Sequence, residues 1–131
     1  MLETGIKGTV EFIAEESGSA KVMGSGALDV LATPKMIAML EKAAWESVQP
    51  YLEEGCGTVG TLMNVTHDAA TPLGMKVWCT TELIRIEGKK LVFQVEAFDE
   101  KGHIGGGTHE RFIVNNQKFQ LKTDGKKTAE G

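Results

Sequence analysis

Helical periodicity appears in one long stretch of this chain, residues 33–52, TPKMIAMLEKAAWESVQPYL. Set at about 100° per residue, Thr33, Ile37, Leu40, Ala44, Ser47, Val48 and Tyr51 crowd onto one side of a helix. Lys35, Lys42, Glu46 and Glu53 gather on the opposite side. Glu41 breaks the sorting, because it falls among Ile37, Ala44, Trp45 and Val48 on the apolar side. A carboxylate in that place is either desolvated at a cost or lines a cavity. Thr33 is the expected N-cap and Pro34 suits the first helical position, where no N–H partner is needed. Pro50 removes a hydrogen bond and loosens the last turn, and Gly55 suits a left-handed cap.

The rest of the chain reads in period two. Residues 6–15 partly alternate, which predicts a half-buried strand, and Ser17-Gly18-Ser19 predicts a turn. Residues 20–24 read as a short returning strand, and 25–32 as a connector. Four stronger strands follow. In 58–66, Val59, Met63, Val65 and then His67 share one face by strict alternation. In 75–87, Met75, Val77, Cys79, Thr81 and Leu83 do so, and in 91–98 the set is Leu91, Phe93, Val95 and Ala97. The last, 103–114, contains Gly105-Gly106-Gly107, which predicts a bulge or the close approach of another element. Asn115-Asn116 predicts a turn, and 118–122 a short final strand. One helix beside a meander of short-linked antiparallel strands is an α+β layout. The expectation is a single domain over residues 1–122, with a polar tail over 123–131 lacking regular structure.

Composition narrows the function classes. A net charge of −4 argues against a nucleic-acid partner. No 18-residue apolar run suggests a membrane partner. The N-terminus lacks the order of a signal peptide, so a cytoplasmic protein is expected, with Cys56 and Cys79 as reduced, buried thiols. There is no CxxC pair and no metal-ligand spacing, and no helix follows the glycine run to make a phosphate loop. The reading therefore calls for no metal and no cofactor.

Four side chains are candidates for chemistry. Glu41 is either a poised base or nucleophile, or a carboxylate at the margin of the helix contact. His67, at a strand end before the loop 68–74, is either a proton shuttle or a surface histidine. Thr33 is explained by capping alone, yet a helix start also polarises a carbonyl or holds an anion. It stands eight residues before Glu41, roughly 12 Å along a helix, so the two should not touch. His109 and Arg111 share a strand face, where Arg111 either meets a ligand anion or makes a structural salt bridge.

Three motifs add to this. They are A-T-P-x-M-x-x-x-x-E from Ala32 to Glu41, G-T-x-x-x-V-T-H-x-A-A-T-P-x-G from Gly60 to Gly74, and G-T-H-E-R-F from Gly107 to Phe112. In that order they resemble the hotdog-fold acyl-CoA thioesterases related to fluoroacetyl-CoA thioesterase, over about residues 5 to 121. The resemblance implies a central helix wrapped by a curved antiparallel sheet, a homodimer, and hydrolysis of a small acyl-CoA substrate. It implies catalytic roles for Thr33, Glu41 and His67, and substrate contacts for Gly60 and, through the last motif, Arg111. The family's fluoroacetyl-CoA enzyme closes its pocket with an aromatic residue upstream of the helix; residues 25–32, SGALDVLA, hold none. A hotdog module that binds an acyl-CoA without turning it over is the alternative.

Overall fold

A computed structural model describes residues 1–128. Five antiparallel strands form one sheet: β1 (Lys7–Ile13), β2 (Cys56–His67), β3 (Lys76–Glu87), β4 (Lys90–Asp99) and β5 (Gly102–Asn115), in spatial order β1-β3-β4-β5-β2. The long helix α2 (Thr33–Val48) lies across one face. It meets the inward residues of the central strands, Val77, Cys79 and Leu83 of β3 and Leu91, Phe93, Val95 and Ala97 of β4, all buried as their alternation predicts. Each large apolar side chain so buried contributes about 1.5–3 kcal/mol, which makes this seam the main stabilising contact. Gly8 lets β1 come close: a Cβ there would sit 2.5 Å from the Ala43 carbonyl oxygen.

The buried face of α2 is Met36, Leu40, Ala43, Ala44 and Val48. Relative to the expected face it gains Met36 and Ala43, so its centre is rotated away from Glu41, which stands at the margin. Helix α2 ends at Val48 rather than at residue 52. Pro50 sits in a following 3₁₀ turn, Gln49–Tyr51, a tighter winding that tolerates its missing N–H. Gly55 takes the expected left-handed conformation, φ 85°. The N-cap is Ala32, not Thr33, and it makes no side-chain cap bond. The Thr33 hydroxyl is thereby left for another partner.

Two short segments expected as strands are helical. Residues 20–24 form α1 (Ala20–Met23), because Ser19 accepts a capping bond from the Val22 N–H at 3.2 Å and Gly24, φ 78°, closes the other end. The segment 118–122 lies within α3 (Asn116–Asp124), where Asn115 caps the Lys118 N–H at 3.0 Å. Phe119 and Leu121 imitate strand alternation, but α3 buries no residue. Helix continues into the segment expected as tail, followed by a 3₁₀ turn at Gly125–Lys127; residues 129–131 of that tail lie outside the described residues.

Strand β2 departs from strict alternation. Gly60 pairs with Arg111, Leu62 with Glu110 and Met63 with His109, so Thr61 is an extra residue in a bulge. Thr58 and Gly60 before the bulge, and Met63, Val65 and His67 after it, share the helix-facing side with His109 and Arg111. Val59 lies on the other face, opposite Phe112, rather than with Met63. Along the same ladder, any Cβ at Gly105 or Gly107 would collide with the carbonyl oxygens of Thr66 and Asn64. The glycine run thus allows β2 to lie tight on β5. Among the described residues no helix is long and apolar enough to cross a membrane. Both cysteines are free; Cys79 is buried as expected, with its thiol pushed up to about 12 by burial, while Cys56 is only half-buried.

Candidate active site

Half-way along α2, Glu41 reaches the β2–β5 ladder. Its Oε2 lies 3.4 Å from Nη1 of Arg111, and its side chain keeps 40% of its exposure against 7% for the arginine. Gly60 makes room for it: a Cβ there would stand 2.6 Å from Glu41 Oε2. Arg111 is held from behind by Thr58. Its Nε donates to the Thr58 hydroxyl at 2.8 Å and its Nη2 to the Thr58 carbonyl at 3.0 Å. Nη1 also donates to Nε2 of His109 at 3.1 Å, and His109 Nδ1 donates to the Leu62 carbonyl at 2.8 Å. The guanidinium therefore commits four of its five N–H groups within the protein. Burial pushes the Arg111 value down, and Glu41 pulls it back. His109 is likewise lowered from 6.5, first by burial and also by the nearby Arg111 charge, so it is neutral at pH 7.

At the start of the same helix, the Thr33 hydroxyl and Nδ1 of His67 are 2.7 Å apart. Proline at the second residue and the cap at Ala32 free that hydroxyl to face the end of β2. Burial lowers the His67 value below 6.5, while Asp68 and the Ala69 backbone pull it upward, leaving the ring neutral at pH 7. Its Nε2 is covered from solvent and has no hydrogen-bond partner among the described residues. The pair borders a cavity of about 240 Å³ lined by Ala20, Val30, Leu31 and Ala70 among others, with no aromatic wall.

The structure thus brings Thr33 and His67 together, and Glu41 together with Gly60 and Arg111. Among the described residues no hydrogen bond joins the two groups, in keeping with the spacing of Thr33 and Glu41 on one helix. Thr58 and His109 complete the second group. Thr58 carries no signal in the sequence, because its partnership with Arg111 depends on the bulge that resets the face of β2. His109 was legible as Arg111's neighbour on one face, but not as a bonded one.

The chain as a whole has known relatives. Residues 14–117 match the family model for fluoroacetyl-CoA-specific thioesterase. The chain belongs to that family. It is therefore a thioesterase by family, and the resemblance read from the three motifs holds. The fluoroacetyl-CoA thioesterase of Streptantibioticus cattleyicolor is 44% identical over 101 residues, 77% of this chain and 73% of the relative. A solved structure of a variant fluoroacetyl-CoA-specific thioesterase in complex with fluoroacetate and CoA is 36% identical, with a TM-score of 0.85 over 90% of this chain and 99% of that one. A hot-dog-like protein from Thermanaerovibrio acidaminovorans shares the fold at 22% identity, with a TM-score of 0.84 over 93% of this chain and 90% of that one. The hotdog thioesterase fold is thus that of this chain, with α2 as the helix and β1–β5 as the wrapping sheet.

Proposed function

We propose that this thioesterase hydrolyses a small acyl-CoA to the free acid and CoA, using Glu41, His67 and Thr33. The observation that carries the reading is the Glu41 carboxylate, half-exposed above the bare backbone of Gly60 and pinned by a buried arginine. A carboxylate so held delivers oxygen to a thioester carbonyl, either as the nucleophile or by taking a proton from the attacking water. Gly60 leaves the space in which that carbonyl would lie, and backbone N–H groups beside it would polarise the oxygen. Arg111, with its N–H groups largely committed, acts on Glu41 more than on the substrate. The neutral His67 holds water or passes a proton to the departing thiolate, and the Thr33 hydroxyl sets its ring and positions the acyl group.

Because Thr33 and Glu41 are about two turns apart on α2, the substrate or a second subunit must bridge them. We further propose a homodimer. β1 and β2 are the free edges of the sheet, and edges of this kind call for cover. Exposed Leu62 on β2, at 45%, adds an apolar contact for a partner. A concentration-independent monomer in analytical ultracentrifugation would contradict the dimer. The free thiols of Cys56 and Cys79 fit a reducing, cytoplasmic setting.

A panel of short-chain acyl-CoA thioesters with free-thiol detection tests the activity. The expected result is thiol release from at least one substrate, lost in large part in Glu41→Ala and in His67→Ala. Wild-type hydrolysis unaffected by both substitutions would sink the site assignment. Calorimetric binding of acyl-CoA with no thiol released would favour a non-catalytic binding module.

A further inference from the structure

We propose that His109 is a positioning residue for Glu41, acting through Arg111 as the fixed acceptor that orients the guanidinium. The inference rests on the role given to Glu41 above.

The geometry around His109 allows one protonation state. A carbonyl only accepts, so the Nδ1 that lies 2.8 Å from the Leu62 oxygen carries the proton. A guanidinium only donates, so the Nε2 that lies 3.1 Å from Arg111 Nη1 is bare. Two partners of opposite demand therefore select a single neutral tautomer. The ring is 1% exposed and stacks on Phe93, with centroids 6.1 Å apart, so it has little room to turn. Burial and the neighbouring arginine both resist its protonation.

What this buys is angular. Thr58 holds one edge of the guanidinium through Nε and Nη2. Without an acceptor on the far side, Nη1 would be free to tilt about that edge. His109 Nε2 supplies the acceptor, and the same Nη1 presents its other hydrogen to Glu41 Oε2 at 3.4 Å. The chain of contacts runs from the Leu62 carbonyl through His109 and Arg111 to Glu41. It begins at the β2 bulge, where the register slips between Gly60 and Leu62. An irregularity on an edge strand is thereby coupled to the direction of a carboxylate on the helix.

Two substitutions separate this role from mere support of the bulge. In His109→Gln an amide oxygen reaches the place of Nε2 and still accepts from Arg111, while the bond to Leu62 is lost. In His109→Asn an amide N–H reaches the place of Nδ1 and still donates to Leu62, while Arg111 loses its acceptor. The expected result is that Gln keeps kcat within about three-fold of wild type, whereas Asn lowers kcat about ten-fold or more with KM little changed. In a Glu41→Ala background the Asn substitution should add no further loss. If the Asn protein does not fold, as judged by circular dichroism, His109→Leu takes its place with the same expected loss. The reverse order, equal losses in both variants, or wild-type rates in both would overturn the inference while leaving an inactive Glu41→Ala to uphold the proposed function. An active Glu41→Ala protein would overturn the proposed function and this inference with it.

Discussion

The two ends of the candidate site are built differently. At the start of α2, one side-chain hydrogen bond of 2.7 Å joins Thr33 to His67, and the threonine is exposed. Half-way along, Arg111 is buried and tied by Thr58, His109 and Glu41 at once. The first end is lightly tied and borders a cavity; the second is densely tied. Saturated networks hold one geometry. In the proposed mechanism the arginine-bound carboxylate sets the direction of attack, and the lightly held imidazole moves the proton in the same step.

The largest effects should come from the two titratable groups. Glu41→Ala removes the proposed base or nucleophile and should lower kcat/KM about a thousand-fold, and His67→Ala about a hundred-fold, in thiol-release assays. Next is Gly60→Ala. Its methyl carbon would stand 2.6 Å from Glu41 Oε2, so the carboxylate must move, and kcat should fall about ten- to a hundred-fold with the melting temperature little changed. A wild-type rate in Gly60→Ala would show that the position of Glu41 is not critical. At the lightly held end, Thr33→Ser keeps the hydroxyl beside His67 and should retain most activity, whereas Thr33→Val loses it and should fall about ten-fold. Equal rates would place the threonine outside the chemistry.

The smallest effect is on stability. His67 and His109 both have folded-state values depressed below 6.5, first by burial. The unfolded chain therefore binds more protons as the pH falls past 6.5. The stability these neutral rings bring is full above that value and is lost as the pH drops through their folded-state values. Thermal melts should move downward on acidification below pH 6.5, and less so in His109→Gln. A melting temperature flat from pH 7 to 5 would contradict the assigned environments.

How much of this was legible in the sequence differs between the same two regions. The inward faces of β3 and β4 follow simple alternation, because both strands lie in the middle of the sheet with one side on α2. The pairing of Thr33 with His67 was hidden by the capping preference of threonine, since Ala32 takes the cap without a side chain to fill it. The Glu41 network was half visible. The helix wheel marked the carboxylate, and alternation put His109 with Arg111. What alternation could not show is the extra residue at Thr61, because a bulge is a property of pairing with β5 and not of β2 alone. The same limit explains α1 and α3, short helices set by the caps at Ser19 and Asn115 rather than by periodicity.

In the proposed mechanism the two ends act on one thioester in one step. A double-mutant cycle on kcat, with Glu41→Ala, His67→Ala and the double variant assayed on the best acyl-CoA substrate, tests it most directly. Groups that serve the same step are strongly non-additive. The double variant should be no slower than about the slower single variant, within roughly three-fold. Losses that multiply in full would contradict it, showing that Glu41 and His67 contribute independently.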